Sequence, residues 1–196
     1  MAPAMSDLPE RDPLADLVSR SVGARVEAVQ AEVLESPEGV ERKRLRYTTA
    51  DGPKTVIFER RSRGDVLEAQ LLPFLARKTL HVPAVHSRGL PPPHAQLGPW
   101  LLIEDVFALP WEEDWAEILR AKRAIESAVA NDIPALRALG LHARDANGPL
   151  ALVHGALTPV KGYRAERGVV IVDWSHAYLG DAAADERSLE GRRPNM

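Results

Sequence analysis

Two apolar segments in the last third of the chain, separated by a short polar stretch, constrain the fold more than any other feature. Residues 152–159 contain a His-Gly pair and end in Thr-Pro. Residues 169–174 consist of four β-branched residues followed by Asp173 and Trp174. A run of this kind favours a buried β-strand, because branched side chains pack well on a pleated surface. Asp173 is therefore expected directly at the end of a buried strand.

Together the two segments resemble the catalytic segment of the aminoglycoside phosphotransferase and choline kinase-like family. In that family the first segment usually reads His-Gly-Asp-Leu-His-Pro-Gly-Asn, and the apolar strand ends in Ile-Asp-Trp. Aligning on His154 and Gly155 places Ala156 at the position of the family's catalytic Asp and Lys161 at that of its metal-binding Asn. Asp173 matches the family's metal-binding Asp. The resemblance thus implies the frame of a kinase site without its catalytic acid.

Composition narrows the class of protein. With 196 residues and 45% hydrophobic residues, the chain can build a core for one domain or two small lobes. The net charge of -3 gives no basic excess that would indicate nucleic-acid binding, and the absence of cysteine excludes disulfides and thiolate chemistry. No apolar run reaches the roughly 18 residues of a membrane helix, and the Pro-rich, acidic start is unlike a secretory signal. We therefore expect a cytoplasmic protein that binds neither nucleic acid nor membrane.

Periodicity and turn signals predict the elements along the chain. Their order in the first half, β-β-β-α-β-β after a short first helix, is that of a kinase N-lobe. In the second half, Trp111, Trp115, Ile118 and Leu119 are spaced as one face of a helix. The predicted strands are 26–34, 41–49, 55–58, 84–87 and 100–104, and the predicted helices are 14–22, 65–78 and 133–144, with a proline loop at 91–93.

The predicted fold class is α+β, a protein-kinase-like two-lobe fold. An antiparallel sheet with one long helix would form the N-lobe, and the C-lobe would be reduced and mainly helical. We expect a flexible N-terminus over residues 1–11, an N-lobe over 12–106, a C-lobe with the degenerate catalytic segment over 107–186 and a flexible tail over 187–196.

In the N-lobe the resemblance points to two candidate nucleotide-contacting residues. Glu68 matches the helix glutamate that pairs with a strand lysine, and Glu104 ends the strand before the hinge whose backbone would hold an adenine ring. The strand lysine itself would fall at Glu59, while Arg60 points to the other face. Glu68 then either pairs with Arg60 or another arginine, or lies on the helix surface, and we expect the surface position.

In the C-lobe, Ala156 cannot accept a proton from an attacking hydroxyl, so the sequence predicts no catalytic residue there. Asp173 is a candidate cofactor and metal ligand, because a single carboxylate can hold Mg²⁺ together with nucleotide phosphates. It could equally bond backbone amides in its turn. Lys161 could replace the metal by pairing with a phosphate or with Asp173, or it could be solvated.

Three functional hypotheses remain open at this point, the last being a purely structural remnant. The first is a pseudokinase-type binding or interaction module that requires no cofactor and binds ATP and Mg²⁺ weakly at most. The second is an active ATP-dependent phosphotransferase with an alcohol acceptor and an unusual site. We further expect a protein partner or a homo-oligomer, most simply a dimer formed through the C-lobe. That interface rests on apolar strand faces that a short C-lobe would leave uncovered, at Leu150, Leu152, Val170, Val172 and Trp174.

Overall fold

The computed structural model of the protein describes residues 13–92, 97–144 and 148–190. The predicted flexible N-terminus at 1–11, residue 93 of the proline loop and residues 191–196 of the predicted tail lie outside these ranges. Of the helices within them, none combines the length and apolarity needed to cross a lipid bilayer.

The first half of the chain forms a five-stranded antiparallel sheet with two helices. The strand order is β1-β2-β3-β5-β4, so β1 and β4 form the two edges. The α+β class and the predicted order of elements are confirmed. The elements are α1 (Pro13–Val22), β1 (Val29–Leu34), β2 (Val40–Thr49), β3 (Gly52–Arg61), α2 (Leu67–Leu75), β4 (Val85–Gly89) and β5 (Trp100–Glu104).

The two faces of this sheet have different neighbours. One face is covered by α1, whose Ala15 and Val18 pack in a small core with Leu45 and Val56. The other face belongs to the main core, which includes Ile57 of β3. Because side chains alternate along a strand, the residues that follow Ile57 at every second position of β3 also lie on this inner face.

The helix α2 is the N-lobe helix that was predicted, but it is shorter than the predicted 65–78. It ends at Leu75, whose carbonyl accepts hydrogen bonds from the backbone N–H groups of both Lys78 and Thr79. The apolar residues on which the prediction rested end at Leu75, and residues 76–78 form a turn in place of the further helical residues predicted there.

The described part of the second half combines three α-helices and three short 3-10 helices with two small antiparallel sheets. Strands β6 and β9 form one pair, and β7 and β8 form the other. The elements are α3 (Trp115–Val129), α4 (Ile133–Ala138), β6 (Ala151–Val153), β7 (Gly162–Ala165), β8 (Gly168–Ile171), β9 (Tyr178–Gly180) and α5 (Ala184–Glu190).

The start of α3 corrects the predicted helix face. The side chain of Asp114 caps the helix by accepting a 2.8 Å hydrogen bond from the N–H of Ala116, so Trp115 is the first helical residue. Trp111 lies before the cap, forms a backbone bridge with Tyr163 and is 58% exposed. The prediction that Trp111 shares the buried face of this helix is wrong.

The end of α4 also differs from the prediction of a helix to residue 144. Gly140 has a φ of 96°, a left-handed conformation that glycine adopts without steric cost. Its N–H bonds the carbonyl of Arg137 and the N–H of Leu141 bonds that of Leu136, which is a Schellman motif. The helix therefore stops six residues earlier than predicted.

The apolar strand faces that suggested a dimer interface on the C-lobe are covered within a single chain. Leu152, Val170, Val172 and Trp174 are all buried, and Leu150 packs at the edge of the main core. The reason given for an interface at this place is therefore wrong. Self-association itself stays a prediction, as do the proposed lobe boundaries.

Candidate functional site

The loop after β6 is held from below by a buried carboxylate. Asp185, at the start of α5, accepts hydrogen bonds from the backbone N–H groups of His154 and Gly155, at 2.7 and 3.0 Å. The His154 ring donates from Nε2 to the carbonyl of Val172 at 2.9 Å and accepts at Nδ1 from the N–H of Ala156 at 3.3 Å. Burial lowers the pKa of His154, so the ring is neutral and acts as a fixed brace.

A buried lysine supports Asp185 in turn. The Nζ of Lys122 lies 3.4 Å from Asp185 Oδ2 and donates to Glu126 and, at 3.1 Å, to the carbonyl of Ala182. Sequence reasoning missed this residue. A signal was present, because Lys122 occupies the buried stripe of α3 four residues after Ile118. A lysine on an apolar helix face requires a buried partner.

Ala156 lies directly above this support, at the position of the family's catalytic acid. Its methyl group can neither accept a proton nor orient a hydroxyl. Asp185 cannot replace it, because its carboxylate is 1% exposed and is already bound to two N–H groups and to Lys122. The loop therefore keeps its shape without the group that would do the chemistry.

Asp173 follows β8 in a strained backbone conformation. Its φ and ψ are 65° and 64°, and it is the one non-glycine residue with positive φ in the described ranges. This left-handed conformation costs roughly 1–2 kcal/mol. The carboxylate accepts a hydrogen bond from Lys161 and, at 2.9 Å, from the hydroxyl of Ser175. Although burial opposes ionisation, Lys161 lowers the pKa of Asp173 to about 2.

The N-lobe supplies a strand cation that the sequence interpretation placed wrongly. Arg61, two residues after Glu59 and on the same face of β3, donates to Glu68 and lies 2.8 Å from Glu59. Its Nη2 is also 3.7 Å from Asp173 Oδ1. Glu68 is 3% exposed, so the expected surface position of this glutamate is wrong. The strand–helix ion pair is present, with Arg61 as its cation.

Glu68 also connects α2 to the turn that contains Asp173. Its Oε1 accepts a 2.9 Å hydrogen bond from the backbone N–H of Trp174. Burial and the nearby Glu59 carboxylate raise the pKa of Glu68 above its ordinary value, despite the opposing charge of Arg61. One glutamate thus ties the inner face of the N-lobe to the end of the buried strand.

The same chain of charges continues to β2. Arg42 donates from Nε and Nη2 to Glu59 Oε2, at 2.9 and 2.7 Å. Its guanidinium carbon lies 4.5 Å from the ring centroid of Phe107, and that ring packs edge-on against Tyr163 of β7 at 5.5 Å. Arginine and two aromatic rings therefore connect the N-lobe sheet to the C-lobe just after the hinge segment.

We call six of the connected charges between the lobes the interlobe ion cluster, which Asp65 adjoins at 3.3 Å from Arg61. It alternates in sign, with three carboxylates and three cations that each contact an opposite charge. The set consists of Arg42, Glu59, Arg61, Glu68, Asp173 and Lys161.

Glu104 is not part of this cluster. Its carboxylate binds Arg167 and accepts a 3.0 Å hydrogen bond from the N–H of Ala84. Although burial opposes ionisation, Arg167 lowers the pKa of Glu104. Of the four candidate cofactor residues, the structure therefore brings Glu68, Lys161 and Asp173 together, and places the side chain of Glu104 elsewhere.

The residues at Asp173 do not suit a divalent cation. Its Oδ2 is taken by the Lys161 ammonium, and its Oδ1 by Ser175 with Arg61 nearby. A metal would have to displace a lysine and approach an arginine, both of which repel it. In the described part of the chain no group of three or more His, Asp or Glu is placed to hold a metal ion.

Comparison with known proteins identifies the fold. No protein-family model and no curated protein matches the sequence. Among solved structures, an assigned aminoglycoside phosphotransferase from Ralstonia eutropha superposes with a TM-score of 0.61 at 13% identity, over 94% of this chain and 71% of that one. The amicoumacin kinase hAmiN, in complex with AMP-PNP, Ca²⁺ and Ami, gives a TM-score of 0.53 at 13% identity, over 82% of this chain and 63% of that one.

A third match is aminoglycoside phosphotransferase APH(4)-Ia, in a ternary complex with ADP and hygromycin B. It gives a TM-score of 0.50 at 12% identity, over 87% of this chain and 74% of that one. At identities this low the likeness concerns the fold, and a fold alone does not fix an activity. The chain has the kinase-like fold of the aminoglycoside phosphotransferases.

Proposed function

We propose that this protein is a phosphotransferase-like binding module that does not itself transfer phosphate. The observation that carries the proposal is the pairing of Asp173 with Lys161, combined with Ala156 at the catalytic position. Phosphoryl transfer depends on a group that orients the attacking hydroxyl and on cations that neutralise the phosphates. The group that would orient the hydroxyl is replaced by the methyl group of Ala156. The Asp173 carboxylate that would hold a metal cation is already neutralised by Lys161.

The interlobe ion cluster is a reason to expect that nucleotides bind weakly at most. Its cations are bound to its own carboxylates, so a triphosphate would have to break a buried ion pair before gaining a new one. Breaking one side of such a pair costs several kcal/mol. Any residual binding should depend little on Mg²⁺, because Lys161 occupies the carboxylate that would share the metal.

The contact between Arg42 and Phe107 adds a steric argument. These residues lie beside the hinge, whose backbone in the resembling family would hold an adenine ring. Arg42 is 9% exposed, and its guanidinium stacks on Phe107 while bonded to Glu59. A purine would have to displace this arginine from both partners.

Nucleotide binding can be tested by thermal shift and calorimetry with ATP and GTP, each with and without Mg²⁺. A ligand at 100 times its Kd stabilises a protein by about 2.7 kcal/mol, which is readily measured. We expect no shift at millimolar nucleotide, and the same null result for Asp173→Asn. Micromolar ATP affinity that disappears without Mg²⁺ would refute the proposal and support an enzyme or a nucleotide sensor.

Phosphate transfer is tested directly with aminoglycosides, choline, homoserine and sugars as acceptors. We expect the rate of phosphate transfer to each acceptor not to exceed the background rate of ATP hydrolysis in buffer. Turnover that Asp173→Asn abolishes would instead establish the active-phosphotransferase hypothesis. A binding role also predicts a partner, either another protein or a second copy of the chain, and we expect it in the cytoplasm.

A further inference from the structure

The two edges of the N-lobe sheet differ in their protection against pairing. Strand β4 has a register irregularity between Val85 and Ser87, and prolines 91 and 92 follow it. Bulges and prolines are devices that keep an edge strand from pairing with another chain. Strand β1 pairs with β2 through six consecutive residues without a shift and contains no proline. In the described ranges no strand pairs with its outer edge.

The exposed surface of β1 consists of two apolar and two polar side chains, of which one is ionisable. Its four central residues are exposed, and Val33 is 74% exposed. Its one ionisable residue, Glu32, is held at 2.6 Å by Arg46 and at 3.7 Å by Arg44. The edge therefore carries no uncompensated charge that would repel another strand, and a neutral extended strand is the partner that suits it.

We propose that β1 pairs antiparallel with β1 of a second copy of this chain, about a two-fold axis through Ala31. In a continuous antiparallel sheet, directly opposed residues lie on the same face. A two-fold axis between two identical strands must therefore lie at a residue, which then opposes its own copy. Axes at Ala31 and Glu32 give the longest overlap within β1.

The charge pattern selects between these two registers. An axis at Glu32 would place two glutamates directly opposite each other, which destabilises a strand pair. The axis at Ala31 instead places Val29 opposite Val33 and Gln30 opposite Glu32. This register covers the exposed Val33 and leaves the Glu32–Arg46 pair intact.

The inference goes beyond the proposed function and does not depend on it, because β1 contributes nothing to the interlobe ion cluster. It also places self-association on the N-lobe, where an edge strand is exposed, and not on the C-lobe, where the strand faces are buried. A dimer could therefore form whether or not the cleft binds a nucleotide.

Cross-linking tests the register directly, since the chain has no cysteine. In Ala31→Cys the two introduced thiols would face each other with Cβ atoms about 4.5–5.5 Å apart, close enough for a disulfide after a small adjustment. In the control Val33→Cys, another exposed position of the same strand, the thiols would lie roughly 13 Å apart along the strand. Mild oxidation should give a product of twice 21.5 kDa for Ala31→Cys only. Equal cross-linking of both variants, or of neither, would overturn the proposal.

Light scattering of the native chain provides the second readout. We expect a mass of twice 21.5 kDa for the native protein at tens of micromolar. For Ala31→Lys we expect the mass of one chain, because this change places two ammonium groups opposite each other across the axis. Because Ala31 is exposed, the thermal midpoint of this variant should stay within a few degrees of the native value. The control Thr48→Lys, an exposed position on β2, should remain dimeric. A single-chain mass for the native protein, or a dimer that survives Ala31→Lys, contradicts β1 pairing.

Discussion

The loop after β6 has two sides that differ in their chemistry. Beneath it, Asp185, Lys122 and His154 form a buried support in which the carboxylate, the ammonium and both ring nitrogens are bonded. On the side of the cleft, Ala156 and Lys161 stand where the resembling family has its catalytic and metal-binding groups. The difference is physical. Loss of a buried support leaves unsatisfied polar groups, whereas loss of a group needed only for a reaction costs the fold nothing.

The largest expected effect comes from breaking the support with Asp185→Ala. This change removes one of the two carboxylates that bind the buried Lys122 ammonium, leaving Glu126, and it leaves two backbone N–H groups without acceptors. We expect a loss of about 3–5 kcal/mol in the free energy of unfolding, measured by urea denaturation. Asp51→Ala, at a side chain that is 80% exposed, serves as the matched control and should change little. A similar small loss for both variants would show that the support is not needed for stability.

Glu68→Ala tests the link between the lobes. It removes one carboxylate from Arg61 and leaves the N–H of Trp174 without an acceptor. We expect a loss of about 2–4 kcal/mol. Glu68→Gln should lose less, because an amide oxygen can still accept from Trp174. Equal losses for the two variants would indicate that charge alone, and not the hydrogen bond, is responsible.

Lys161→Asn should have a smaller effect that depends on pH. A carboxylate whose pKa is lowered on folding contributes stability that is present above its unfolded pKa and is lost as the pH falls through its folded pKa. For Asp173 this window runs from about 3.8 to about 2. Removing Lys161 should therefore cost about 1 kcal/mol at pH 6, after allowance for its partial exposure. The difference from the native protein should shrink as the pH falls from 4 to 2, and a difference constant with pH would argue against this pairing.

The smallest expected effect on stability is that of Ala156→Asp. The position is only partly buried and makes no side-chain hydrogen bond, so the free energy of unfolding should change by no more than about 0.5 kcal/mol. Neither this variant nor the double variant with Lys161→Asn should transfer phosphate, because Arg42 and Arg61 stay bonded to Glu59 and Glu68 and are not free to bind phosphate groups. Turnover by the double variant would show that two residues alone separate this chain from an enzyme.

The elements were predictable where local pattern and tertiary environment agree. The strand Trp100–Glu104 was predicted with its observed bounds, because a short apolar run that follows Pro99 and ends at two acidic residues has few alternatives. The helices were predicted too long or too early, at α2, α3 and α4. In each case the end was decided by a cap or a turn, whose geometry depends on a few backbone hydrogen bonds and not on apolar spacing.

The site was predictable in part. The pairing of Lys161 with Asp173 was one of the alternatives open from the sequence, and the structure selects it. The strand cation was missed because Glu59 and Arg61 share a face of β3. Alternation excludes Arg60 but cannot choose between residues two apart.

By itself, the sequence determined the succession of elements along the N-lobe, the frame of the loop around His154 and the replacement of its acid by Ala156. These features depend on residue identity and local spacing. Only the tertiary structure decided that Arg61 meets Glu68, that Asp185 lies under a loop 31 residues earlier in the chain, and that Arg42 reaches Phe107. Such contacts depend on how sheet and helices pack, and no local pattern records the distance between groups that folding brings together.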